Sequence, residues 1–363
     1  MNLGHEAILQ SIVRELRSSL PVEITVFSLI PKDTLSRHDV ESVIPVRDLF
    51  RSEVIPEIER LDLFILGGGG ILYDAEAPTY LREVTIAQEM GIPVMVYAVG
   101  AGPLQDLSVQ MLVRECLNRC VAVTVRERRT QQLLEHIGVT ADIQVTADPA
   151  LLLEPEPLPD DVLPMEGIHR DHRLVGMSIR EPGSAAPDIG EYRYHEMLAN
   201  AADYMVDRLD ADLVFVPMER GVLDMQHSHA VIAQMAHADR ATVLKGEYTP
   251  GQLLSLMGKF AFAVGMRLHF LMFAAMQRVP FVALPYASKV SGLLEAMDMA
   301  MPTIKQVNSG QIIAHIDRSW DFRDDIQAKI TQVLPALQSS ARETNKIAVQ
   351  LLTERSHSSP EIA

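Results

Sequence analysis

Ten short apolar, β-branched runs recur along the chain, each followed by a helical pattern, and this alternation restricts the fold to parallel sheets with crossover helices. In the first half the runs are EITVFSL (23–29), LDLFIL (61–66), PVMVYAVG (93–100), VAVTVRE (121–127) and IQVTAD (143–148). In the second they are RLVGMSIRE (173–181), ADLVFVPM (211–218), ATVLKG (241–246), FAFAVG (260–265) and PFVALPY (280–286). Ile8, Ile12, Leu16 and Leu20 keep one face of a helix apolar ahead of the first run. Between the halves, Glu154–Gly167 holds Pro155, Pro157, Pro159 and Pro164, a density that continues neither helix nor central strand, so 154–171 reads as a linker. A chain of 363 residues exceeds the ~250–300 at which single cores stop growing. The expectation is an α/β chain of two doubly wound Rossmann-like domains, 1–153 and 172–340, facing a central cleft, with 341–363 a C-terminal helix and frayed tail. The chain opens on the turn and helix that ordinarily follow a first parallel strand. That strand is missing, either because the start is truncated or because another element fills its place.

The formal net charge of −16 counts against a nucleic-acid binder, because phosphate recognition begins with a basic surface. Any anionic substrate therefore needs a local positive site. Cys116 and Cys120, four apart in a helical pattern, read as buried inert thiols, and so few cysteines favour a reducing compartment. No run reaches ~18 apolar residues, and MNLGHEAILQ lacks the layout of a signal peptide. The expected location is the cytoplasm.

In open α/β sheets ligands bind beyond the carboxyl ends of the strands, so polar residues where each run stops carry most weight. LDLFILGGGGILYD stops in Gly67, Gly68, Gly69 and Gly70, either a tight strand-to-helix turn or a loop whose backbone amides approach an anion. It has neither G-x-G-x-x-G spacing nor a Walker lysine. Asp74 just beyond is a cap or a site residue. VAVTVRERRT stops in Arg126, Glu127, Arg128 and Arg129, a solvated turn or a cluster neutralised by an anion. Asp148 and Pro149 end the next run, as an Asx-turn or as an acceptor for a substrate hydroxyl. Arg180, at the tip of a central apolar strand, is expected to face the cleft.

The stretch KFAFAVGMRLHFLMFAAMQRVP runs from strand through Arg267, Leu268 and His269 into an apolar helix. In extended geometry residues two apart point the same way, so Arg267 and His269 would face one ligand while Leu268 anchors the turn in the core. A helix starting directly after His269 adds the positive end of its dipole, and the three together describe an anion site. Lys289, in the loop after the next strand, faces the same pocket or lies at the surface. His227, His229 and His237 read as surface residues. With no other metal ligand set visible, metal-independent chemistry is expected.

NLGHEAIL, LFILGGGGILYD, VYAVGAGP, VTVRERRTQQLLEHIGV, TADPALLL, GMSIRE, GMRLHFLMFA and LPYASKVSGLLE occur in this order over nearly the whole chain. Together they resemble the polysaccharide pyruvyl transferase family, including its S-layer cell-wall (CsaB-like) members. The resemblance implies a GT-B-like fold, an acceptor-side N-terminal domain and a donor-side C-terminal domain. It also implies transfer of a pyruvyl group from phosphoenolpyruvate to two hydroxyls of one sugar, giving a cyclic ketal and phosphate with no cofactor. It implies donor contacts from Arg267 and His269, from Lys289, and from an arginine of VRERR, Arg126 being the best placed; Arg180 matches less closely. The family ordinarily begins with a strand and a G-D-E turn, whereas here Gly4 is followed by His5 and Glu6.

Phosphoenolpyruvate carries a carboxylate and a phosphate, which arginines, a lysine and a helix N-terminus match with charge-assisted bonds. His269 is the candidate acid, or the group that delivers a proton to the departing phosphate. Glu6, Asp148 and Glu127 are alternatives for the base. The acceptor is a glycan or lipid-linked sugar, with any membrane association peripheral, at the inner face of the membrane. Two other readings stay open: a glycosyltransferase using a nucleotide sugar, with Glu295 on the ribose, and a catalytically silent glycan-binding protein of the same fold.

Overall fold

The computed structural model describes residues 2–46, 49–168, 172–182, 189–219, 222–284, 288–299 and 308–358. The chain forms two compact units, Ile8–Leu152 with Leu337–Ala363, and Met1–Ala7 with Leu153–Ala336. The halves of the sequence thus exchange their ends: the opening residues belong with the second half, the later part of the closing helix with the first.

The first unit contains most of α1 (Leu3–Ser19), then β1 (Thr25–Ser28), α2 (Pro31–Arg37), β2 (Ser42–Pro45), α3 (Arg51–Ile58), β3 (Phe64–Gly67), β4 (Gly70–Leu72), α4 (Ala77–Glu89), β5 (Val94–Ala101), α5 (Leu107–Leu117), β6 (Ala122–Val125), α6 (Arg128–His136) and β7 (Ile143–Val145). Its main sheet is parallel in the order β3-β5-β6-β7, with β4 also paired to β5; β1 and β2 pair separately. β5 is apolar and buried from Val94 to Val99, as a parallel strand covered on both faces must be. α5 starts where it does because the Asp106 carboxylate accepts the amides of Ser108 and Val109.

The second unit contains α7 (Val162–Met165), β8 (Arg173–Ser178), α8 (Glu191–Leu209), β9 (Ala211–Phe215), α9 (Val222–Ile232), β10 (Ala241–Val243), α10 (Pro250–Met257), β11 (Phe262–Gly265), α11 (Leu268–Met276), β12 (Phe281–Ala283), α12 (Ser288–Ala296), α13 (Ser309–Asp321) and the first part of α14 (Arg323–Ser358). Its parallel sheet runs β10-β9-β8-β11-β12, which in order of occurrence is 3-2-1-4-5. The order reverses between β8 and β11. That is where a doubly wound sheet leaves a crevice beyond its carboxyl ends.

All ten expected strands are present, all but β5 shorter than their apolar runs, and β2 and β4 are additional. The four-glycine run does not enter a helix. Gly68 and Gly69 take φ of +108° and +80°, and the chain returns as β4, because Ile71 and Leu72 are buried in the core. The proline-rich stretch is not a free linker either. Leu163 is buried, Glu156 N–H donates to the Gly251 carbonyl at 3.0 Å, and the Glu166 carboxylate accepts the amides of Lys245 and Gly246 at 2.8 and 2.7 Å, so this stretch is packed on the second unit. Among the described residues no strand precedes α1. Instead Asn2 bridges to Glu219, and Leu3 N–H donates to the Met218 carbonyl at 2.9 Å. No described helix is long and apolar enough to cross a membrane.

Candidate functional site

Two groups of polar residues lie beyond carboxyl ends of strands, one in each unit. In the first unit, Arg126 follows β6 and Asp148 follows β7. The Arg126 Nη1 donates to the Asp148 carboxylate at 2.8 Å with both side chains over nine-tenths buried. Asp148 also accepts the Ala150 amide at 3.0 Å, so it is an Asx-turn acceptor and an ion-pair partner at once. The Arg126 guanidinium lies over Gly100, where a Cβ would come within 2.9 Å of both Nε and Nη2. Those two nitrogens are buried and make no hydrogen bond among the described residues. Gly100 N–H donates to the Gly69 carbonyl at 2.9 Å, and Gly70 pairs with Gly100, so the glycine turn belongs to the same cluster. Arg128 and Arg129 are exposed, so Arg126 alone of the three is held inside. Asp74 is a structural acceptor: its carboxylate takes the amides of Gln105 and Asp106 at 2.9 and 3.1 Å.

In the second unit, β8 leads to Arg180 and Glu181, and its neighbour β11 leads to Arg267, Leu268 and His269. These residues therefore stand at the reversal of strand order. Arg267 is the N-cap of α11, and the helix begins at Leu268, two residues earlier than expected. His269 is accordingly in the first helical turn, and the extended two-residue spacing assumed from the sequence does not apply. Leu268 is half-buried; Met266 and Phe270 take the core positions instead. A Cβ on Gly4 would overlap the His269 imidazole, so the start of α1 rests directly on that ring. Glu6 lies half-buried in the same first turn of α1.

The anion site read from the sequence already contains protein carboxylates. Asp224, buried on α9, grips the Arg267 guanidinium with both oxygens, Nε donating to Oδ2 at 3.1 Å and Nη2 to Oδ1. Nη2 also lies 3.0 Å from Glu219 and 3.7 Å from Glu181. Asp224 Oδ2 further accepts the amides of Met218 and Glu219 at 3.1 and 3.0 Å. Glu181 in turn accepts from Arg180, so one carboxylate links both arginines. The Tyr194 hydroxyl holds the Arg180 carbonyl at 2.7 Å.

Burial would lower the pKa of Arg267, but Asp224, Glu219 and Glu181 together hold it above its ordinary value. Burial pushes Asp224 up, outweighing the opposite pull of Arg267. Burial also raises Glu181, yet the hydrogen bond from Arg180 and the nearby charges bring it below the usual range. The guanidinium of Arg267 is thus permanently charged and fixed in orientation, with Nη1 making no hydrogen bond among the described residues.

Lys289 stands at the start of α12 after β12, the strand paired to β11; its side chain lies outside the described residues. Glu295 is exposed on α12. His229 is exposed, and His237 pairs at 3.0 Å with Asp207. His227 is a correction to the surface expectation: it is buried, with Nδ1 2.8 Å from His195 Nε2 on α8, because α9 turns it inward against α8. Sequence reading missed Asp224, Glu219 and His195. Their partners lie 32 to 48 residues away in the chain and announce themselves by no local spacing.

The profile of the family described as polysaccharide pyruvyl transferase matches residues 2–288. The amylovoran biosynthesis protein AmsJ of Erwinia amylovora is 20% identical over 326 residues, covering 84% of this chain and 77% of AmsJ. Among solved structures, the UDP-GlcNAc 2-epimerase of Neisseria meningitidis bound to UDP-GlcNAc superposes with a TM-score of 0.65 at 12% identity, covering 97% of each chain. HepE of Anabaena in complex with UDP gives a TM-score of 0.64 at 12% identity, covering 96% of each. Likenesses at this identity establish the fold, which is GT-B-like. The agreement of that fold with a family match running from the α1 turn through both clusters to α12 shows that the chain belongs to the polysaccharide pyruvyl transferase family.

Proposed function

We propose that the protein transfers a pyruvyl group from phosphoenolpyruvate to two hydroxyls of one sugar in a cell-surface polysaccharide precursor. The family match supports the reaction class, and the similarity to an amylovoran biosynthesis protein supports an exopolysaccharide acceptor. The observation that carries the reading is Arg267, at the reversal of strand order, with one edge of its guanidinium held by Asp224 and Nη1 left to a ligand carboxylate.

In this reading Arg267 orients the donor carboxylate, while the N-terminus of α11 and Lys289 receive the phosphate. His269 protonates the donor methylene carbon as a first sugar hydroxyl adds to C2. Loss of phosphate and addition of the second hydroxyl then close the ketal. One hydroxyl proton replaces that given to the methyl carbon, and the other leaves with phosphate, so the sum is phosphoenolpyruvate plus diol giving ketal plus inorganic phosphate. Glu6, in the turn of α1 that touches His269, suits the role of base. Arg126, with two buried N–H-bearing nitrogens beside Gly100, is a further anion contact of the first unit. The reaction is expected to take place in the cytoplasm, on a glycan or lipid-linked sugar.

The test is phosphate release from phosphoenolpyruvate across a panel of lipid-linked and nucleotide-linked sugars, with thermal stabilisation measured in parallel. Stabilisation by phosphoenolpyruvate and acceptor-dependent phosphate release abolished in His269→Ala support the proposal. Stabilisation by uridine nucleotides alone, or turnover surviving in that variant, contradicts it.

A further inference from the structure

We propose that Glu191, His195 and His227 form a site for a divalent first-row cation of the zinc class, open to a cavity of the second unit. Glu191 and His195 are four apart on α8 and share a face of that helix, while His227 comes from α9 packed against it. The ligand atoms lie within 4.8 Å of one another. His195 Nε2 and His227 Nδ1 are 2.8 Å apart, and His227 Nδ1 is 3.9 Å from Glu191 Oε1. Bonds of ~2.0–2.1 Å in tetrahedral geometry set neighbouring ligand atoms roughly 3.3 Å apart, and the observed separations bracket that value. Small side-chain adjustments would seat the ion.

Three independent features point the same way. Both histidines are buried and turn ring nitrogens toward each other across the α8–α9 contact. Two imidazoles and one carboxylate leave a fourth position vacant on a tetrahedral ion, the ligand set of a catalytic rather than a purely structural zinc. That position has somewhere to open: Glu191 and His227 line a cavity of ≈ 540 Å³ whose wall also includes Gln226 and Glu181. Glu181 is the carboxylate that links Arg180 and Arg267, so the cavity reaches the arginine cluster. A water or an oxygen ligand on the ion would therefore share a cavity with the proposed donor site. The inference replaces the sequence expectation of no metal ligand set, which considered His227 without His195. It does not depend on the pyruvyl-transfer reading.

The experiment titrates the full-length, chelator-treated protein with Co²⁺ followed by its visible d–d absorption, and with Zn²⁺ by competition. The expected result is one equivalent bound in a low-coordinate spectrum. Removing an outer partner of a metal ligand typically costs about 10–100-fold in affinity, so loss of a direct ligand should weaken binding at least about tenfold. Glu191→Gln, at a position whose side chain is 66% exposed, tests this without threatening the fold, and His227→Ala is its companion. His237→Ala, at a surface histidine, should bind as the wild type does. Absence of saturable Co²⁺ binding by the wild type overturns the proposal, as does unchanged affinity in Glu191→Gln and His227→Ala, or loss of binding in His237→Ala. Because the readout is metal occupancy, a failed pyruvyl-transfer assay leaves it undisturbed.

Discussion

Gly4 and His269, 265 positions apart in the chain, touch: the imidazole occupies the space that a side chain on Gly4 would fill. The glycine of the G-H-E turn is thus explained by close packing on the ring that the proposed chemistry needs. The backbone at this turn is fixed on one side by Asn2, whose side chain accepts the Gly4 amide at 3.0 Å, and on the other by the Leu3–Met218 hydrogen bond. The backbone therefore resists displacement, and the imidazole is what must move.

Gly4→Ala should accordingly cost activity out of proportion to stability. Overpacking costs about 1–3 kcal/mol, and here the displaced atoms belong to one side chain, so the loss should fall at the lower end. Phosphate release is expected to fall by tenfold or more, by roughly the 10²–10⁴ range of a misplaced acid at the extreme. Parallel activity and denaturation measurements check this. Full activity in Gly4→Ala would show that the position of the His269 ring is unimportant.

Asp224→Asn should destabilise the second unit by about 3 kcal/mol, the scale for breaking a buried charged pair. Its Oδ2 can still be matched by an amide oxygen accepting from Met218, Glu219 and the Arg267 Nε, but the amide NH₂ then opposes Arg267 Nη2. The guanidinium loses its two-point grip, so KM for phosphoenolpyruvate should rise as well. Denaturant unfolding and steady-state kinetics report the two effects separately.

Arg126 and Asp148 make a different prediction, because their pair is buried on both sides. Arg126→Met strands the Asp148 carboxylate and should cost about 3–5 kcal/mol, whereas Arg126→Met combined with Asp148→Asn should recover much of that loss. A double-variant cycle in denaturant measures the coupling. Additive losses would mean that the two side chains do not depend on each other.

The two cysteines should be inert in the native protein. Burial pushes the Cys120 thiol up to about 12, and burial likewise raises Cys116. A thiol at about 12 is ionised in roughly one molecule in 10⁴ at about pH 8, and the thiolate is the reactive species. Alkylation should therefore be slow until denaturant is added and then become rapid at both positions. Fast labelling of the folded protein would show that one thiol is more accessible than its packing indicates.

The fold was legible because parallel strands buried on both faces leave continuous apolar runs, as Val94–Val99 does. β4 was not: Gly70, Ile71 and Leu72 are too few to distinguish from a turn, and only burial of the last two decides the matter. Arg180, Arg267 and His269 were located by the rule for strand ends, and adjacency of β8 and β11 brings those ends together. The charge balance was not legible. Asp224 lies just before His227 and His229, which read as surface residues, and its partner Arg267 is 43 residues away. His195 was hidden for the same reason, since a contact across two helices leaves no period in either.

The path of the polypeptide has a practical corollary. It passes from one compact unit to the other within α1, goes back at Leu153 and crosses again within α14, so each unit is assembled from two separated stretches. A polypeptide cut after Leu152 would retain Asn2 without Glu219 and would forfeit Thr344, whose hydroxyl lies 2.8 Å from that of Thr146. Bisecting the gene at its midpoint would therefore yield two incomplete bodies, and recombination that shuffled such halves between relatives would have to carry both terminal helices along with them.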